Sequence, residues 1–129
     1  MKVNKFEELE IWKLSTEIAV IIYKMTKKAP FIKDYGLTDQ LRRASVSIAS
    51  NITEGFERNN NNEFIYFLRI AKGSCGELRT QLYISKEIGY ITEQEFLVTN
   101  DQLVKLSSMI GKFTRYLQTK KSDGEFSIR

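Results

Sequence analysis

The stretch TEQEFLVTNDQLVKLSSMIGKFTRYL, residues 92–117, decides the fold class of this 129-residue chain. Positions on one face of a helix recur there at alternating steps of three and four residues: Phe96, Thr99, Leu103, Leu106, Ile110, Phe113 and Leu117. Thr92 and Glu95 have the spacing of a capping box, in which two side chains satisfy free backbone donors at a helix start. The pattern therefore predicts a helix over 93–119 with a continuous apolar seam.

A helical segment at 7–28 has apolar side chains on two sides of its helical wheel. One side consists of Leu9, Trp12, Thr16, Ala19, Val20 and Tyr23, and the other of Ile11, Leu14, Ile18, Ile21, Ile22 and Met25. The polar part of the helix surface is only a narrow strip, so we expect two neighbouring helices or subunits to cover the apolar sides. Pro30 ends the segment, because proline lacks a backbone donor and disfavours helical geometry at the residue before it.

The second segment along the chain, at 38–55, contains many small residues that allow a neighbouring helix to approach closely: Ala44, Ser45, Ser47, Ala49 and Ser50. This composition predicts a central helix. Thr38 is the expected N-cap and Gly55 the expected C-terminal stop. The polar residues 58–62 follow as a loop whose asparagines are able to cap the next helix.

The segment at 61–88 also has two apolar sides. Its main face has Phe64, Phe67, Leu68, Ala71, Cys75, Leu78, Leu82 and Ser85, and a second strip has Tyr66, Ile70, Gly73 and Ile84. Glycine inside a helix costs about 0.5 to 1 kcal/mol relative to alanine. Gly73 and Gly76 therefore predict close backbone packing or a kink, and Gly89 is the expected end of the segment.

Four helices joined by short connections predict an all-α, antiparallel up-and-down four-helix bundle. We expect one domain over 1–119 and a polar, mobile tail over 120–129. The spare apolar faces of the first and third helices would meet water in a single copy, so the chain is expected to associate with itself. Trp12 and Ile18 are candidates for structural or interface positions.

Composition limits the possible chemistry. The chain has no histidine and one cysteine, which excludes Ser-His and Cys-His pairs and a zinc site built from one copy. Cys75 lies on the core face, where a buried thiol is expected rather than a nucleophile. No catalytic residue, cofactor or metal site is predicted. The lack of a signal peptide and of any apolar run near 20 residues indicates a cytoplasmic protein without a membrane span.

Twenty basic residues against 16 acidic residues give a formal net charge of +4, which favours anionic partners. Cations and an aromatic residue share one edge of the 61–88 helix, and further cations lie opposite the seam of the 93–119 helix: Arg69, Lys72, Arg79 and Tyr83, and then Lys105, Lys112 and Arg115. Such a row is able to neutralise phosphates while the tyrosine stacks on a base. A solvated face paired with acids of a neighbouring helix is the alternative.

Other polar residues are candidates for packing roles. Glu54 is expected to form an ion pair with an arginine across the bundle or a subunit boundary, in preference to catalysis. Further candidates for structural or interface positions are Arg42, Arg43 and Arg58. Ser74 and Glu77, beside Gly73, favour hydrogen bonds between helices.

The order of these motifs resembles a known family. YGLTDQLRRA at 35–44, SIASNITEG at 47–55, IAKGSCGEL at 70–78 and IGYI at 88–91 are similar to the four-helix-bundle proteins encoded in bacterial 23S rRNA intervening sequences. The similarity covers about residues 6–117. The chain differs in having FIKD at 31–34, where the family often has a further proline and an acidic residue, and Thr53, where it often has alanine.

The resemblance implies a bundle that assembles as a homopentamer. The same superfamily includes the accessory variability protein of diversity-generating retroelements, which binds a reverse transcriptase and nucleic acid through a basic surface. The leading hypothesis is thus a non-enzymatic homo-oligomer that presents basic surfaces to RNA, DNA or a nucleic-acid-handling protein. A ring that only binds another protein is the alternative, and an enzyme with a site between subunits comes last.

Overall fold

The computed structural model of the protein describes residues 3–122. Within that range it contains four α-helices and no strand, which confirms the all-α prediction. The helices are α1 (Glu10–Thr26), α2 (Tyr35–Glu57), α3 (Asn61–Glu87) and α4 (Glu93–Ser122), with short 3-10 turns at Phe6–Glu8 and Phe31–Lys33. None of these helices is both long enough and apolar enough to cross a bilayer.

Three of the predicted helix ends are confirmed, two by hydrogen bonds and one by its backbone conformation. At the start of α4 the backbone N–H of Thr92 donates to Glu95 (2.8 Å), and the N–H of Glu95 donates to the Thr92 hydroxyl (3.1 Å). Asn60 caps α3 by accepting from the N–H of Glu63 at 3.0 Å. Gly89 follows α3 with a φ of 82°, the left-handed conformation that glycine adopts without a Cβ penalty.

The predicted bounds of α2 are wrong at both ends. Asp34, not Thr38, caps the helix by accepting from the N–H of Leu37 at 3.2 Å, so α2 begins three residues earlier than predicted. The Thr38 hydroxyl instead donates to the Phe31 carbonyl at 2.8 Å. Gly55 lies inside α2, which continues to Glu57, and Asn59 has the left-handed φ of 54° after the helix.

The outer helices also differ from their predicted bounds. Residues 6–8 form a 3-10 turn and Leu9 is extended, so α1 begins at Glu10. Helix α4 continues to Ser122, so residues 120–122, predicted as part of a mobile tail, are helical. The rest of that tail lies outside the described residues.

The core forms where α2 contacts both α1 and α3, while α4 contacts α3 and α1. Ile18, a candidate for an interface position, is fully buried here and is therefore a core residue of the single chain. The largest fully buried side chains come from all four helices and the 3-10 turn that precedes α2: Phe31, Phe56, Phe64, Ile18, Ile22, Leu41, Ile48, Ile52, Leu68, Leu78, Leu82 and Leu103.

The two spare apolar strips remain on the surface of the single chain. On α3 the exposed fractions of Tyr66, Ile70 and Ile84 are 60%, 37% and 45%. On α1 the side chains of Val20 and Tyr23 are also exposed. These side chains are only partly covered by the rest of the described chain, so they form an apolar surface that one copy leaves facing solvent.

The two glycines inside α3 do not have the predicted role within this chain. A Cβ atom built on Gly73 or Gly76 would have no neighbouring atom within 4 Å. Helix α3 is continuous from Asn61 to Glu87. Neither close packing between helices of one copy nor a helix break therefore accounts for these two residues.

Candidate nucleic-acid interface

Three of the predicted cations lie in a row where α3 contacts α4, and we term this row the cationic groove: Lys72 and Arg79 of α3 and Arg115 of α4. Gly111 of α4 lies beneath it. A Cβ atom at Gly111 would be 3.6 Å from Nη1 of Arg115 and 3.9 Å from Nζ of Lys72. Two positive charges from different helices therefore lie close to the same point at Gly111.

Arg79 is fixed by a bond across the groove. Its Nε–H donates to Oδ1 of Asn100 on α4 at 2.9 Å. Beside this pair lies a cavity of about 460 Å³, which we term the tyrosine pocket; it is lined by Gly76, Arg79, Thr80, Tyr83, Phe96 and Asn100. The bond holds the arginine at the boundary between the groove and the pocket.

The cationic groove has little internal neutralisation. Over residues 3–122 the ion pairs involve other basic residues: Lys13, Arg43, Arg58 and Lys86. Arg69, one turn before Lys72 on α3, likewise has no carboxylate partner in that range. Within the described part of one copy the row therefore lacks the acidic partners of the alternative interpretation, although its side chains are exposed to solvent as that interpretation also predicts. Unpaired cations are free to bind phosphate oxygens.

The thiol beneath the groove is inert. Cys75 is buried, and burial raises the pKa of its thiol to about 12 even though the positive charges of Arg79 and Lys72 oppose the shift. The thiol is therefore protonated near neutral pH and lacks the thiolate that a nucleophile requires. This agrees with the predicted buried thiol.

Tyr83 is about half exposed at the edge of the pocket. Its ring lies edge-on to Phe96, with centroids 6.0 Å apart, and Lys86 Nζ lies 4.6 Å from its centroid. The ammonium of Lys86 pairs with Glu93 at 3.2 Å and Glu87 at 3.3 Å. The hydrogen bond that Lys86 donates to Glu93 raises the pKa of Lys86, which is therefore charged but neutralised by carboxylates.

Lys105 and Lys112 are not brought into the cationic groove. Lys112 lines a different cavity, of about 630 Å³, between the N-terminal segment and α4, with apolar neighbours including Leu9, Met109 and Phe113. Lys105 lies two helical turns before Lys112 on the same side of α4. The seven residues predicted to bind nucleic acid therefore separate into two groups on different surfaces.

Several packing candidates connect helices within the chain. The indole N–H of Trp12 donates to the Thr53 hydroxyl at 3.1 Å, which joins α1 to α2. Arg42 also joins these helices, because its Nε–H donates to Oγ1 of Thr26 at 2.9 Å and its guanidinium lies 4.7 Å from the centroid of the Tyr23 ring.

The two interhelical predictions near Gly73 have different outcomes. Ser74 bonds across to α2, with its Oγ 2.9 Å from Oγ of Ser47. Glu77 is exposed and has no hydrogen bond or ion pair with another residue of the described chain. The prediction of an interhelical hydrogen bond from Glu77 is therefore wrong for one copy.

The predicted ion pair of Glu54 across the bundle is also wrong for the single copy. Glu54 pairs with Arg58 one turn later in α2, at 3.2 Å, and Arg58 reaches Glu63 of α3, also at 3.2 Å. Arg43 pairs with Asp39 at 2.8 Å within α2. These side chains are substantially exposed, so each pair contributes little to stability, about 0 to 1 kcal/mol.

Asn100 and Gly111 are residues of this surface that the sequence did not reveal. Both lie on the edge of α4 that faces α3, and neither residue type is conspicuous in a helix pattern. Their position beside the apolar seam places them near a helix interface in the sequence pattern. The residue of α3 that each one meets depends on the register between α3 and α4, which the sequence does not give. No cluster of potential metal ligands occurs among residues 3–122.

Comparisons with known proteins agree with this fold. Residues 7–112 match the family model described as 23S rRNA-intervening sequence protein. The crystal structure of a protein with unknown function from the S23 ribosomal protein family of Bacteroides thetaiotaomicron VPI-5482 is similar, with a TM-score of 0.74 and 24% sequence identity. That similarity covers 81% of this chain and 97% of the other, and at this identity it shows the fold alone. No curated protein matches the chain.

Proposed function

This chain belongs to the 23S rRNA-intervening sequence protein family, and we propose that it is a non-enzymatic, homo-oligomeric scaffold whose cationic groove binds nucleic acid, RNA foremost. The observation that carries the proposal is a row of cations where α3 meets α4, with Lys72 and Arg115 beside Gly111 and Arg79 beside Asn100, none of which has a carboxylate partner among the described residues. Cations in such an arrangement bind phosphates and release the counterions that surround them. DNA is bound by the same chemistry.

The decisive experiment compares two charge-matched double variants. RNA affinity is measured by fluorescence anisotropy between about 50 and 200 mM salt. Lys72→Glu/Arg79→Glu changes the groove, whereas Lys105→Glu/Lys112→Glu makes the same change in net charge on another surface of α4. We expect the first variant to lose most RNA affinity and the second to retain it.

Two outcomes would remove this proposal. One is the absence of RNA binding by the wild-type protein at about 50 mM salt, where electrostatic binding is strongest. The other is an equal loss of affinity in both double variants, because that result would reflect net charge and not the groove. Circular dichroism checks that each variant is folded.

Self-association is supported by the apolar strips that one copy leaves exposed on α1 and α3, among them Tyr23, Tyr66 and Ile70. We propose an antiparallel up-and-down bundle that assembles through these strips, as a homopentamer by analogy with the family. A ring would repeat the cationic groove around its axis. Several weak phosphate contacts would then act on one RNA and increase the overall affinity.

A ring that binds only protein is the alternative, and the apolar cavity between the N-terminal segment and α4 favours it. Leu9, Ile11, Met109 and Phe113 line this cavity, and apolar side chains of a partner would fit there. Through the relation to retroelement accessory proteins, a reverse transcriptase is one candidate partner. A pull-down that tolerates salt and nuclease would support the alternative.

The single free thiol suits the reducing cytoplasm, which we propose as the location of the protein.

A further inference from the structure

We propose that the tyrosine pocket binds one unpaired nucleotide, so that the protein prefers single-stranded RNA to duplex RNA. This inference rests on the proposed function and specifies which form of nucleic acid the groove accepts. It is carried by the shape of the pocket, by its unused hydrogen-bond donors and by the position of its aromatic rings.

Gly76 lines the pocket with bare backbone. A Cβ atom at Gly76 would have no neighbouring atom within 4 Å, so the α3 backbone forms an open floor at this point. The volume of about 460 Å³ is within the usual range of small-molecule sites. A planar base is therefore able to lie against the helix backbone, between Arg79 and Tyr83.

Two side chains at the pocket, Asn100 and Arg79, have hydrogen-bond donors without acceptors. Arginine only donates hydrogen bonds, so Oδ1 of Asn100 must be the atom that faces Arg79. The amide nitrogen of Asn100 and the terminal nitrogens of Arg79 then have no acceptor among residues 3–122. Thr80 donates its own hydrogen to the Gly76 carbonyl at 3.0 Å. The carbonyls of a base and the oxygens of its phosphate are the acceptors that such a set fits.

The aromatic residues supply a stacking surface with a defined orientation. Phe96 contacts the Tyr83 ring edge-on, and Lys86 covers part of that ring, which limits its movement. Because Glu87 and Glu93 neutralise Lys86 and repel phosphate, the strand should leave the pocket in the other direction. That direction leads along α3 toward Lys72, two turns or about 10.5 Å from Arg79.

Base pairing decides which nucleic acid enters this pocket. The bases of a duplex are stacked on one another and present only their edges, whereas an unpaired base is able to stack on an aromatic side chain. One such stack changes affinity by about 5- to 100-fold. A preference of that size for single strands is therefore expected, added to an electrostatic attraction that both forms share.

The test uses a single-stranded RNA of about 12 nucleotides containing 2-aminopurine, and the duplex of the same sequence. Tyr83→Ala removes the stacking ring, Tyr83→Phe retains it, and Gly76→Leu fills the pocket with a residue that favours helix. We expect Tyr83→Ala and Gly76→Leu to lose about 5- to 100-fold in single-strand affinity. Tyr83→Phe should bind like the wild-type protein, and duplex affinity should change little in all three variants.

Quenching of 2-aminopurine fluorescence reports stacking directly and should be lost with Tyr83→Ala. Equal binding of single strand and duplex, or unchanged single-strand affinity in Tyr83→Ala and Gly76→Leu, would overturn the inference. If RNA affinity nevertheless depends on Lys72 and Arg79, the proposed function stands and only the pocket is wrong. If the wild-type protein binds neither RNA at about 50 mM salt, both proposals fail.

Discussion

A Cβ atom at Gly55 would lie 2.7 Å from Cδ1 of Phe64, closer than real Cβ contacts allow. Gly55 belongs to α2 and Phe64 to α3, and both are buried. The same Cβ would lie 2.9 Å from Cβ of Phe67. The first turns of α3 therefore pack directly on the α2 backbone, and only glycine fits at residue 55.

Replacement of Gly55 by alanine should destabilise the protein. Overpacking of a buried contact costs about 1 to 3 kcal/mol. The higher helix propensity of alanine offsets up to about 1 kcal/mol of this. Urea denaturation at fixed protein concentration measures the difference. Gly36→Ala is the control, because a Cβ at Gly36 has nothing within 4 Å, and this variant should keep or slightly increase stability through the helix propensity of alanine. Equal stability of Gly55→Ala and the wild-type protein would contradict the packing described.

The thiol of Cys75 should resist modification in the folded protein. Its pKa of about 12 leaves almost no thiolate at pH 8, and the surrounding core excludes reagent. We expect iodoacetamide to label Cys75 at pH 8 only after denaturation. Labelling in the native state at a rate near that of a free cysteine peptide would show that the site opens or is exposed.

The hydrogen bond between Tyr90 and Asp34 predicts a pH dependence. The Tyr90 hydroxyl donates to Oδ2 of Asp34 at 2.9 Å, and this bond raises the pKa of Tyr90. A pKa raised on folding contributes stability that is full below the ordinary value near 10 and is lost as pH rises through the raised value. Tyr90→Phe should therefore lower the unfolding midpoint at pH 7, and its difference from the wild-type protein should shrink above pH 10.

The control for this comparison is Tyr35→Phe, since Tyr35 is largely exposed and its hydroxyl has no bond within the described chain. It should unfold like the wild-type protein at pH 7. A Tyr90→Phe protein with an unchanged midpoint at pH 7 would mean that the bond to Asp34 contributes no stability.

Local patterns predicted the helices better than their ends. The box of Thr92 and Glu95 was predictable because both residues belong to one turn. Gly55 was not, because a buried contact and a helix stop both favour glycine, and only the position of Phe64 distinguishes them. Asp34 and Thr38 are both able to cap a helix, and the nearby Phe31 carbonyl, which accepts from Thr38, is invisible in sequence.

The residues that share one edge of a single helix could be predicted from the sequence, but the contacts between two helices could not. Arg69, Lys72 and Arg79 share an edge of α3 by helix geometry alone. Asn100 meets Arg79 only because of the register between α3 and α4. Lys112 lies opposite the apolar seam, so the sequence did not decide on which edge of α4 it belongs. The structure places Lys112 on the edge away from the groove.

Self-association through the α3 strip is the last prediction. Ile70 and Ile84 are apolar and partly exposed, and glutamate at either position would place a charge in any interface that covers them. Light scattering of the wild-type protein at micromolar concentration should give a mass well above the 15.0 kDa of one chain. Ile70→Glu/Ile84→Glu should shift the mass toward that of a monomer.

The matched control is Leu97→Glu/Val104→Glu, which makes the same change at exposed apolar residues of α4. It should retain the wild-type mass if the α3 strip is the interface. Dissociation of both double variants would show that the interface is not confined to α3. A wild-type mass of 15.0 kDa would contradict assembly altogether. In that case the cationic groove would act singly, and its RNA affinity would lack the gain that repeated sites supply.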